Sequence, residues 1–92
     1  MNKRPEQFGK LIRLLLLHRI RWIKTPQHVA DGYAILCFDR DDKPLATVLL
    51  HKLFHAKPGC YFEVSIIDEA GNVQEPCWQT AQEAVDTILS AM

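Results

Sequence analysis

The sequence lacks most of the features that announce an activity. Its three cysteines, Cys37, Cys60 and Cys77, are odd in number and share no close spacing. They do not form the even, dense set that staples a small secreted domain. Apolar runs are short: residues 14–17 and 33–38 fall well below the ~20 residues of a membrane-spanning helix. Lys3 and Arg4 precede an apolar stretch, but Arg13 interrupts it and no small-residue cleavage site follows. An export signal is therefore not expected, and a reducing cytoplasm is the expected compartment. Internal repeats and low-complexity tracts are missing too.

Catalytic signatures are equally sparse. No glycine-flanked nucleophile elbow or cysteine-protease pattern is present. Asp39, Asp41 and Asp42 lack the glycine and closing glutamate of a calcium loop. A zinc site would have to draw on His51, His55, Cys60 and Cys77. The two histidines are four apart, which converges on a helix but separates them by about 13 Å along a strand. Neither cysteine has a near partner cysteine. These absences predict a protein that is not an enzyme, with no metal, no cofactor and no small-molecule substrate.

What is present is globular material. Ninety-two residues, 48% hydrophobic and 24% charged, suit one domain with a single core. Net charge is zero, yet residues 1–28 hold seven basic residues (Lys3, Arg4, Lys10, Arg13, Arg19, Arg21, Lys24) against Glu6 alone. From residue 29 onward, four basic residues face ten acidic ones. Such a division provides a field for a charged partner. It also allows the two halves to neutralise each other within the fold.

Local patterns set the element order. Pro5 and Glu6 suit a first helical turn, where a missing N–H costs nothing and an acid complements the dipole. Phe8, Leu11, Ile12, Leu15 and Leu16 then recur with the period of one helical face, predicting a helix over residues 5–18. Past His18 the pattern breaks. Residues 19–24 read either as continued helix or as a short extended stretch, ended by Thr25-Pro26. Residues 33–38 read as a strand. Residues 45–54 admit strand or helix, with strand favoured by the turn-forming residues 39–44 before them. Residues 60–67 alternate Phe62, Val64 and Ile66 with Tyr61, Glu63 and Ser65, the period of a strand. Residues 73–78 suit an edge strand, given Pro76. Thr80 and Glu83 form a capping box that opens a helix with Ala84, Val85, Ile88 and Leu89 on its inner stripe.

The expected fold is α+β. It is a two-layer sandwich in which a three- to four-stranded antiparallel meander is covered by N- and C-terminal helices, α-β-β-β-(β)-α. One domain spans residues 1–92, with a basic helical segment at 1–28, the sheet at 29–78 and the last helix at 79–92. In helix–sheet–helix order the chain resembles the double-stranded RNA-binding domain, and that resemblance is one of topology. Such domains use a lysine-rich start of the second helix on phosphates, whereas Gln79, Thr80, Gln82 and Glu83 stand here.

Two functional expectations follow from the first segment. In a continuous helix, Leu14, Leu17 and Ile20 widen the apolar arc beyond what a small sheet can cover, and Trp22 adds an indole beside arginines. Leu14, Leu17, Arg21 and Trp22 are accordingly the candidate contacts for a protein partner or a second copy. On this reading the chain is a small non-catalytic interaction module: a regulator, inhibitor or accessory subunit, a size class common in phages and mobile elements. The alternative is nucleic-acid binding through Lys10, Arg13, Arg19, Arg21 and Lys24, four of which share a face if the helix runs through. Membrane-surface binding is not expected, because the apolar stripe of the helix serves to cover the sheet.

Overall fold

The computed structural model describes residues 4–25, 33–50 and 60–92. The order is α1 (Arg4–Leu17), β1 (Trp22–Lys24), β2 (Ala34–Phe38), β3 (Pro44–Leu50), β4 (Phe62–Ile66), β5 (Cys77–Gln79) and α2 (Ala81–Ala91). The strands form one antiparallel meander in sequence order, β1 to β5. The α+β architecture thus matches the expectation from sequence. The fifth strand comes from β1, so the sheet begins within the basic first segment and not after it.

Register sorts the strands into two faces. Ile35, Val48 and Val64 align across β2, β3 and β4, as do Cys37 and Ala46. These residues join Leu50, Phe62, Leu11, Leu15, Ala84, Val85 and Ile88 in one buried cluster beneath the helices. α2 packs across β3, β4 and β5 and also against α1. Phe8 of α1 meets Trp22 and Tyr33 edge-on at 6.2 and 5.3 Å. Burial pushes the Cys37 thiol up to about 12, so it behaves as a small core hydrophobe.

Turn chemistry fixes the end of the sheet that carries the β2–β3 and β4–β5 connections. The two turns are built alike. Asp39 N–H donates to Lys43 C=O at 2.9 Å, and Asp68 N–H to Asn72 C=O at 2.9 Å. The Asp39 carboxylate accepts the backbone N–H groups of Asp41 and Lys43, and the Asp68 carboxylate accepts that of Asn72. Each turn also has one left-handed residue, Asp42 (φ 61°) in the first and Gly71 (φ 88°) in the second. This is the type I turn plus left-handed residue that joins strands without splaying them. The strand-favoured reading of residues 45–50 holds, while residues 51–54 lie outside the described residues. The capping box of α2 is present: Glu83 N–H donates to Thr80 Oγ1 at 3.1 Å, and Thr80 N–H to Glu83 Oε1 at 3.0 Å.

The end of α1 departs from the periodicity argument. His18 N–H donates to Leu14 C=O, Arg19 N–H to Leu16 C=O at 3.0 Å, and Ile20 N–H to Leu15 C=O at 2.9 Å. Arg19 is left-handed, with φ 57°. These bonds define a Schellman stop, in which the 6→1 and 5→2 bonds satisfy the last carbonyls. Its usual apolar clasp is present too, since Ile20 and Leu15 are both buried. Ile20 therefore closes the core instead of extending an exposed apolar arc. The chain reverses here and enters β1, which excludes a continuous helix through residues 19–24.

Candidate functional site

The outer surface of α1 and the strand that follows it form the candidate contact region. Leu11 and Leu15 point into the core, and Phe8, Ile12 and Leu14 pack against it. Leu16 was expected on the buried stripe, but it is 75% exposed. Leu14, expected outside that stripe, takes the half-buried place instead. Four consecutive leucines carry no contrast by which sequence can set the phase of the helix, and packing against α2 sets it. Leu17 is 72% exposed, so two adjacent leucines stand in solvent on the last turn of the helix.

The other predicted contacts separate. Trp22 is half-buried against Phe8 and the core, so its indole chiefly serves the fold. Arg21 has its charge engaged: its Nε lies 2.9 Å from Asp42 Oδ1. Its guanidinium also sits 4.2 Å from the centroid of the Phe38 ring. Arg21 thereby ties the start of β1 to the β2–β3 turn. Sequence reasoning missed Asp42 as its partner because the two are far apart along the chain. It missed Ile23 as well, which is 46% exposed on the face away from the helices. The signal for Ile23 was the apolar residue within the alternation of residues 19–24, legible only on the extended reading.

The basic residues do not form the single row that a continuous helix would give. Lys10 and Arg13 lie on α1, Arg19 at its stop, and Lys24 on β1. All four are exposed. Among the described residues the one salt bridge is Arg21 with Asp42, so none of these four cations has a carboxylate partner there.

Elsewhere the chemistry is quiet. Cys60 is buried, with Sγ 3.8 Å from Glu83 Oε1, and Cys77 is exposed on β5. No three His, Cys, Asp or Glu side chains converge on a metal-sized site among the described residues. His51 and His55 lie outside them. The sheet face away from the helices has a shallow hollow of about 540 Å³ lined by Thr25, Ala34, Leu36, Thr47, Leu49 and Ser65. Thr25 Oγ1 is buried there without a hydrogen-bond partner among the described residues. No described helix is long and apolar enough to cross a membrane.

Comparison with family models, with curated proteins and with solved structures finds no match to this chain. The five-stranded sheet departs from the α-β-β-β-α arrangement of the double-stranded RNA-binding domains that the element order resembles.

Proposed function

We propose that this chain is a small non-catalytic protein-interaction module, a regulator, inhibitor or accessory subunit, whose contact surface is the last turn of α1 with β1. The observation that carries the reading is the pair Leu16 and Leu17, 75% and 72% exposed, whereas every other leucine among the described residues is buried or half-buried. Adjacent exposed leucines gain free energy on being covered, at about 25 cal/mol per Å² of apolar surface removed from water. Lys10, Arg13 and Arg19 around them favour an acidic partner and speed its approach.

The test is recovery of a specific partner from the native host by the full chain, compared with a Leu16→Ser/Leu17→Ser variant. The reading expects a partner that survives nuclease and a salt increase from about 50 to 200 mM, and is lost with the double variant. Light scattering of the purified chain decides whether the partner is a second copy. A second reading, nucleic-acid binding, is favoured by the exposed cations Lys10, Arg13, Arg19 and Lys24, which have no carboxylate partner among the described residues. It predicts the opposite pattern: loss with nuclease or salt, and indifference to the leucines.

A further inference from the structure

We infer that the outer edge of β1, which pairs with no other strand among the described residues, receives an extended segment of a partner protein whose side chains alternate between carboxylate and apolar. The inference rests on the interaction reading above and specifies its partner. β1 is terminal in the sheet. Its ladder is bracketed by Phe38 N–H donating to Arg21 C=O at 3.0 Å and Thr25 N–H donating to Ala34 C=O at 3.1 Å, with Ile23 opposite Leu36 between them. Alternate residues of an antiparallel strand bond to the same neighbour. Arg21, Ile23 and Thr25 therefore turn their backbone groups toward β2, and Trp22 and Lys24 turn theirs outward. Those outward N–H and C=O groups have no strand beside them among the described residues, and their spacing is that of the next ladder.

The side chains specify what fits. Lys24 lies on the helix side of the sheet with Trp22, and Ile23 on the open side, 46% exposed. An added strand meets a cation on one face and an apolar side chain on the other. Lys24 has no carboxylate partner among the described residues, and the exposed Arg19 and Arg13 extend the positive field. Pairing β1 with β1 of a second copy would bring these cations together, and like charges across a strand pair are unfavourable. The same charges attract carboxylates at alternate positions of a different chain.

The experiment uses the ¹⁵N-labelled full chain and a blocked peptide, Glu-Val-Glu-Val-Glu, with Lys-Val-Lys-Val-Lys as control. Expected are amide shifts centred on Trp22 and Lys24, slowed exchange of those two amides, and binding that weakens as salt rises. Lys24→Pro removes an outward N–H but no bond to β2, so it keeps the fold and loses the peptide. Lys24→Glu keeps the backbone intact, rejects the acidic peptide and takes the basic one. The inference is overturned by absence of shifts at the highest soluble peptide concentration, by shifts centred elsewhere, or by undiminished binding to Lys24→Pro. It is also overturned if light scattering shows a dimer that Lys24→Pro disperses, because a second copy then occupies the edge. If Leu16→Ser/Leu17→Ser abolishes capture of the natural partner while Lys24→Pro does not, the interaction reading stands and the edge assignment fails.

Discussion

Replacing Arg19 by glycine is expected to stabilise the protein while weakening its candidate contact surface. Arg19 occupies the left-handed position of the α1 stop, with φ 57°, where a side chain with a Cβ costs roughly 1–2 kcal/mol. Its backbone N–H bonds to Leu16 C=O, and glycine retains that bond. Against the relief of strain stands the extra freedom of glycine in the unfolded chain, about 0.4–1 kcal/mol. The balance favours Arg19→Gly by roughly 0.5–1 kcal/mol, which for a domain of this size raises Tm by about 2–8 °C. Arg19→Ala is the control, because it removes the charge and keeps the left-handed strain, so its stability stays close to that of the parent chain. The assay is urea and thermal unfolding of all three proteins, followed by circular dichroism. If Arg19→Gly proves less stable than Arg19→Ala, the Schellman account of the helix end is wrong. If both variants bind the partner as well as the parent does, Arg19 has no share in the contact. A residue that breaks a local rule without structural compensation is expected at functional sites.

Three further predictions concern core, turn and thiols. Leu15→Ala, at a fully buried site, should cost about 2–5 kcal/mol in urea unfolding, whereas Leu16→Ser/Leu17→Ser should stay within about 1 kcal/mol. A double-mutant cycle of Arg21→Ala with Asp42→Ala should give a coupling of about 0.2–1 kcal/mol that shrinks with salt, because both side chains are more than half exposed. Among the cysteines, Cys77 should react with a thiol reagent in the native state, and buried Cys37 and Cys60 only on opening. With the Cys37 thiol raised to about 12 from 9.0, its contribution is complete below pH 9 and is lost as pH rises toward 12. That loss is at most about 4 kcal/mol, and Cys37→Ala should flatten the decline in an alkaline unfolding series.

Much of the fold was legible because the decisive signals are local. The alternation of Phe62, Val64 and Ile66 marks β4, and the Thr80–Glu83 box opens α2 where the pattern places it. The Asp39 and Asp68 turns carry their own hydrogen-bond acceptors, so each hairpin is written within five residues. The candidate site was less legible. Leu17 and the exposed cations could be named from composition and period. The exchange of Leu14 for Leu16, the pairing of Arg21 with Asp42 and the outer edge beside Ile23 could not. Each depends on which segments meet in space.

By itself the sequence determined the α+β class, the antiparallel order, the capped second helix and the strongly cationic opening segment. Those follow from periodicity, turn residues and charge within short windows. Only the tertiary structure decided that α1 stops at Leu17, that Ile20 and Trp22 turn inward, and that Leu16 and Leu17 remain in solvent. The physical reason is that a run of leucines beside alternating arginines and isoleucines is compatible with several helix phases and with either helix or strand. Packing against α2 and pairing with β2 select one of them, and no local propensity encodes that choice.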